Sequence, residues 1–203
     1  MKRVRLGQHT LLSRATVERI LEVAEITSDD TVFEIGAGRG ELTQELCKRA
    51  FRVMSYEVDE QLYEAAKEKL KHYGNLELVL GDAFYSGFDF EILVSNLPYC
   101  ESSRFVEWLS LKNFKRAVVT VQKEFAEKLL AEVASRKYRA ISVLAQLSFN
   151  MSIEERVGRE AFRPRPKVSS VILKIIPRNE VKVSLKENLW IKRLFSFRGR
   201  RIS

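Results

Sequence analysis

Residues Thr31-Val32-Phe33-Glu34-Ile35, β-branched and aromatic, run directly into Gly36-Ala37-Gly38-Arg39-Gly40. The chain then takes up a helical pattern over 41–49, with Leu42 and Leu46 on one face. A strand that turns this tightly into a helix needs positions free to take positive φ, which glycine supplies. The strand-turn-helix unit commits the next strand to a crossover and a parallel pairing. Strand-like runs recur at 51–56, 76–80, 92–95 and 117–121. Helical patterns recur at 14–26 (Val17, Ile20, Leu21, Ala24), 60–72 (Leu62, Ala65, Ala66, Leu70), 102–111 and 123–134. This alternation predicts an α/β fold whose mostly parallel sheet is covered on both faces.

The end of the chain breaks the alternation. Residues 168–176 alternate and are rich in Val and Ile, so they read as a strand, and 149–157 can pair with them. The expected finish is an antiparallel pair closing the parallel sheet. Residues 138–147 fit helix or strand and are read as helix. Residues 189–203 read as a short helix running into a basic tail, with Trp190, Phe195 and Phe197 interleaved.

A length of 203 residues suits one domain, or one domain with an appendage. No run of eighteen apolar residues exists, so no membrane span is expected, and Met1-Lys2-Arg3-Val4-Arg5 lacks the apolar stretch of a signal peptide. Cys47, Cys100, His9 and His72 show no metal-ligand spacing, so neither a metal site nor a disulfide framework is predicted. A reducing cytoplasm is the expected compartment. The net charge of +8 is unevenly spread. Residues 1–111 hold 13 Lys/Arg against 19 Asp/Glu, and residues 112–203 hold 22 against 8. A basic half of this kind suits a polyphosphate partner, since each neutralised phosphate releases counterions; a solubilising surface is the plainer reading.

Functional side chains follow the predicted strands. In open parallel sheets ligands bind beyond the carboxyl ends of the strands, so the glycine turn, Glu57, Asp82 and Asn96-Leu97-Pro98-Tyr99 should converge there. The glycine turn alone fits several nucleotide loops. Glu57, ending the second strand, can accept both hydroxyls of a ribose, in a nicotinamide cofactor as well as in S-adenosylmethionine. Asp82 can accept from the exocyclic amine of an adenine. Two acids after two strands, with no Arg or Lys nearby dedicated to phosphate, favour an adenosyl ligand without pyrophosphate.

The tetrad suits an aromatic amine. Such a nitrogen is a poor nucleophile because its lone pair is delocalised. The Asn96 side-chain oxygen and a neighbouring main-chain carbonyl can accept both amine protons and favour sp³ character. Pro98 stiffens the turn, and Tyr99 offers a ring for stacking. Rate would come from positioning and electrostatics rather than from a strong base. A plain strand-end turn would use the same residues for capping and packing.

Taken together, these segments resemble the ribosomal RNA adenine N6-dimethyltransferase family, which includes the macrolide-resistance methylases. The matching residues are Gly7-Gln8, Glu34-Ile35-Gly36-x-Gly38-x-Gly40-x-Leu42-Thr43, Glu57-x-Asp59, Gly81-Asp82-Ala83 and Asn96-Leu97-Pro98-Tyr99. They continue through Gln122-Lys123-Glu124-x-Ala126 and Phe162-x-Pro164-x-Pro166-Lys167-Val168-x-Ser170. The resemblance implies a Rossmann-like S-adenosylmethionine-dependent methyltransferase with a seven-stranded sheet, acting on ribosomal RNA or a pre-ribosomal particle, in a monomer. Gln8, His9, Leu11, Gly36, Gly38, Glu57, Asp82 and Asn96 would hold the cofactor. Asn96, Leu97, Pro98 and Tyr99 would hold the target adenine, with Phe162 on its other face. His9 and Thr10 stand where the family usually has Asn and Phe, and Ala37 replaces a common proline. The family's helical C-terminal domain follows a junction near Ser203, so the expected layout is a methyltransferase domain over 1–178 and a basic extension over 179–203, a remnant of that domain.

Basic residues around the Phe162 loop (Arg163, Arg165, Lys167) and in the tail (Arg198, Arg200, Arg201) suit a flipped base flanked by phosphates. Lys123 and Lys128 read as the solvated face of a helix. The alternatives to ribosomal RNA methylation are a non-catalytic RNA-binding assembly factor, N6-adenine methylation of another structured RNA, and DNA adenine or protein glutamine methylation.

Overall fold

The computed structural model describes residues 9–178 and 183–197. A seven-stranded sheet is built from β2 (Thr31–Ile35), β3 (Arg52–Glu57), β4 (Leu76–Leu80), β5 (Ile92–Asn96), β6 (Arg116–Gln122), β7 (Phe149–Val157) and β9 (Ser170–Pro177). Its order is β4-β3-β2-β5-β6-β9-β7. The first five strands run parallel, and β9 lies antiparallel to both β6 and β7, as the alternation predicts. A two-stranded ribbon joins β1 (Thr10–Leu11) to β8 (Phe162–Arg163), pairing Leu11 with Phe162.

Successive strand residues point to opposite faces, so each strand feeds two cores. Val32, Val53, Val94, Val118 and Ile172 face α1 (Arg14–Ala24) and α2 (Glu41–Cys47), whose Val17, Ile20, Leu42 and Leu46 close that side. Phe33, Leu93, Val119 and Leu173 face α4 (Ser102–Leu109), α5 (Lys123–Leu129) and α6 (Ala140–Ser148) through Phe105, Val106, Ala126 and Leu144. The third helix, α3 (Glu60–Leu70), begins with Asp59 accepting the Gln61 and Leu62 N–H groups.

One helical segment differs from the sequence reading. The helix expected over 123–134 stops at Leu129, and Ala134 takes a positive φ of 71° in the turn leading to α6. The ambiguous stretch is helical, as α6. The last described helix, α7 (Leu185–Ser196), rests against α6, with Asn188 buried and the Tyr138 and Phe195 rings 6.0 Å apart. No helix among the described residues is long and apolar enough to cross a membrane.

β2 leads outward through β3 to β4, whereas β5 leads the other way to β6. The strand order therefore reverses between β2 and β5, where a crevice opens beyond their carboxyl ends.

Candidate active site

The glycine turn occupies one wall of this crevice. Gly36 and Ala37 donate their N–H groups to the Tyr56 carbonyl at 2.8 and 2.9 Å, which folds the loop back over β3. Gly38, at φ 60°, donates to Glu57 Oε2 at 2.8 Å. Gly40 has a different role: a Cβ there would lie 2.7 Å from Leu70 Cδ1, so its absence lets α3 pack against the loop.

Glu57 is buried, only 2% exposed, and its Oε1 accepts the Asp59 N–H at 2.9 Å. Burial raises its pKa above the ordinary carboxylate range, against the lowering effect of these backbone donors. An ionised carboxylate offers about four acceptor sites, and the two backbone N–H groups take two of them. The remaining capacity is what a ribose diol needs. The residues present fit an adenosyl cofactor on this observation.

Gly36, Glu57, Val58, Asp82, Phe84, Pro98, Glu101 and Arg104 line a single cleft. Three of these are acids and one is basic, which suits a cationic ligand and disfavours a pyrophosphate. One basic residue does reach the cleft, but it is committed to carboxylates rather than free for a phosphate. Arg104 is in the cleft, paired with Asp82 at 2.8 Å and Glu101 at 3.5 Å. Asp82 also caps the turn after it, accepting the Phe84 N–H at 3.0 Å. Arg104 escaped the sequence reading because nothing around position 104 marks it; only α4 carries it back over Asp82.

The tetrad forms the next wall, with Pro98 Cδ 3.9 Å from where a Gly36 Cβ would stand. Asn96 ends β5 and donates its Nδ2 to the His9 carbonyl at 2.7 Å, so its Oδ1 is turned away from that bond. Leu97 is buried, and its N–H reaches the Thr120 carbonyl at 3.3 Å. The Pro98 carbonyl accepts from Glu101 N–H and that of Tyr99 from Ser102 Oγ. Tyr99 pairs its hydroxyl with Ser170 Oγ at 2.5 Å, and burial raises its pKa. Ser170, quoted only as part of a motif, is thus the residue that fixes the tyrosine ring.

Three expected site residues lie away from this cleft. His9 lies over the tetrad, its ring 5.1 Å from that of Tyr99 and its Nδ1 2.6 Å from the Pro164 carbonyl. It is not among the residues lining the cleft at the glycine turn. Leu11 is buried in the core and is not among them either. Phe162 is 0% exposed, packed with Leu11, Val17 and Ile172. The ring expected to cover a target base thus lies in the core beneath the β1–β8 ribbon. Gln8, Arg198, Arg200 and Arg201 lie outside the described residues.

Beneath the glycine turn, Glu34 is 1% exposed and accepts Thr43 Oγ1 at 2.6 Å and Ser55 Oγ at 2.5 Å. Burial pushes its carboxyl up to about 7. This network ties β2 to α2 and β3 under the loop.

On the basic side, Arg163 and Arg165 are exposed, with Arg165 4.0 Å from Glu160. Lys167 shares a groove with Lys123, Lys128, Lys137 and Arg159. Lys123 and Lys137 both pair with Glu127, at 3.5 and 2.6 Å.

The sequence pattern of the family described as Ribosomal RNA adenine dimethylase matches residues 1–202. A Thermococcus sibiricus protein named "Probable ribosomal RNA small subunit methyltransferase A" is 40% identical over 195 residues, covering 95% of this chain and 71% of that protein. The crystal structure of a dimethyladenosine transferase from Plasmodium falciparum superposes with a TM-score of 0.84 at 33% identity, covering 93% of this chain and 71% of the other. A 23S rRNA methyltransferase, ErmE, superposes with a TM-score of 0.74 at 31% identity, covering 94% and 80%.

Proposed function

The chain belongs to the ribosomal RNA adenine dimethylase family, and from that premise we propose how its residues dimethylate adenine N6 and in which RNA. The methyl donor is S-adenosylmethionine, which when bound supplies an electrophilic methyl group. Glu57 accepts the ribose hydroxyls with the acceptor sites its backbone donors leave free. The Gly36–Gly38 backbone lies against the ligand, and the acids of the cleft favour its positive charge.

The tetrad holds the target amine. Asn96 Oδ1 accepts one amine proton, oriented by the bond from Nδ2 to the His9 carbonyl. With the Pro98 and Tyr99 carbonyls already engaged, the Leu97 carbonyl is the second acceptor. Two acceptors on one nitrogen concentrate its lone pair towards the methyl group. The Tyr99 ring, pinned by Ser170, stacks on the adenine. Because these groups are held before substrate arrives, alignment and electrostatics supply most of the rate. The single observation that supports this reading is the meeting of Gly36, Glu57, Asp82 and Pro98 in one cleft. Arg163, Arg165 and Lys167 contact RNA phosphates beside it.

The substrate we assign is small-subunit ribosomal RNA, because the relative at 40% identity carries that name while the large-subunit enzyme stands at 31%. Transfer of labelled methyl to purified small-subunit, large-subunit and transfer RNA, free and within particles, tests it. Dimethyladenosine in small-subunit RNA or its particle is the expected product. Labelling of large-subunit RNA alone would overturn the assignment. Reversing Arg163 and Arg165 to Glu should weaken RNA binding and flatten its salt dependence, and an unaltered slope would place RNA elsewhere.

A further inference from the structure

We propose that Arg104 competes with an adenine ring for the Asp82 carboxylate and the Phe84 face and thereby sets how tightly the cofactor binds. The inference rests on the reading of Glu57 and Asp82 as the adenosyl site. Arg104 Nη1 lies 2.8 Å from Asp82 Oδ2, and its guanidinium carbon sits 4.4 Å from the Phe84 ring centroid and 5.3 Å from that of Tyr85. A guanidinium is planar, stacks on aromatic faces and presents N–H donors. An adenine ring entering the cleft would offer the same two things, a flat face to Phe84 and an amine N–H to Asp82.

The competition is for one oxygen and one face. Asp82 Oδ1 accepts the Phe84 N–H and Oδ2 accepts from Arg104, so an exocyclic amine that bonds Oδ2 meets the guanidinium there. Arg104 also touches Glu101 at 3.5 Å, which gives the guanidinium a second carboxylate when adenine displaces it from Asp82. Its side chain is 42% exposed, so leaving the cleft requires no repacking of the core. A half-exposed ion pair and an exposed cation–π contact are each weak. Their sum opposes the cofactor modestly and does not block it.

Titration calorimetry with S-adenosylhomocysteine and with adenosine separates the possibilities. Arg104→Ala should bind both about fivefold more tightly than the parent, and by the same factor, since the gain lies in the adenosine moiety. Arg104→Met, which keeps the aliphatic packing of the stem, should behave alike and carries the test if the alanine variant folds poorly. Unchanged or weaker binding by a folded variant would overturn the proposal, because Arg104 would then support the ring or ignore it. Glu57→Ala should lose S-adenosylhomocysteine whatever Arg104 does. If it binds normally, the cofactor site itself has been misplaced.

Discussion

In the cleft at the glycine turn, the loop at Gly38 is held by Glu57, 19 residues further on, across two adjacent parallel strands. At the tetrad, by contrast, Asn96 is held by His9, 87 residues upstream, and Tyr99 by Ser170, 71 residues downstream. His9 is in turn fixed by Pro164, 155 residues away. The cleft is therefore made by neighbouring βα units, each supplying its own strand-end residue. The acceptor side is made by folding the start of the described chain and the 162–170 segment over the middle. The first can be read from motifs taken one at a time; the second depends on which remote segment arrives.

The sharpest way to break this comparison is at Phe162, which the motif places in the site and the fold places in the core. Phe162→Ala should cost about 3–5 kcal/mol of stability in chemical denaturation, and Phe162→Leu should keep near-normal turnover once folded. A stable Phe162→Leu enzyme without turnover would return the ring to the active site.

Asn96→Ala probes the clamp. Turnover should fall about 100- to 1,000-fold with cofactor binding retained, as when a preorganised polar group is removed from a transition state. Unchanged turnover in a single-turnover assay would refute the amine clamp. Asn96→Asp sharpens the point, because it keeps an acceptor and loses the donor that His9 orients.

Glu34 tests the cleft half. Its folded carboxyl is pushed by burial up to about 7, from an ordinary 4.5. Between those values the folded state holds the proton and the unfolded state does not, so this group's contribution falls as pH rises through that window. Glu34→Gln should therefore flatten the fall, changing the stability difference from the parent by on the order of 2–3 kcal/mol between pH 4.5 and 7. Parallel pH profiles for the two proteins would mean that Glu34 stays ionised throughout.

The smallest effect belongs to the tyrosine latch. Tyr99→Phe removes the hydroxyl bond to Ser170 and keeps the ring, so stability should fall by about 1 kcal/mol and turnover by no more than about fivefold. A much larger loss of turnover would give the hydroxyl a chemical role beyond positioning.

How much of this was legible follows from the same contrast. The strands at 31–35 and 76–80 are found where the pattern puts them, because alternation and β-branched runs are local signals. The antiparallel pairing of 149–157 with the final strand was legible for that reason too. The role of Gly40 was not, since its reason is Leu70, which reaches it only after α3 has packed. Arg104 was invisible because its partner Asp82 lies 22 residues back and across a turn. The burial of Phe162 was not legible either, because a motif records that a phenylalanine stands there without saying whether solvent or a core surrounds it.

By itself the sequence determined the strand-helix alternation, the parallel sheet with its antiparallel finish, and the set of strand-end residues from which a cofactor site could be drawn. Those follow from side-chain periodicity and from glycine's freedom in a tight turn, which act over a few residues. The tertiary structure alone decided that His9 orients Asn96, that Ser170 fixes Tyr99, that Phe162 is core, and that Arg104 rests on Asp82. Each of those is a contact between distant segments, and its geometry exists only once both sheet faces have been covered and the β1–β8 ribbon has closed over the tetrad.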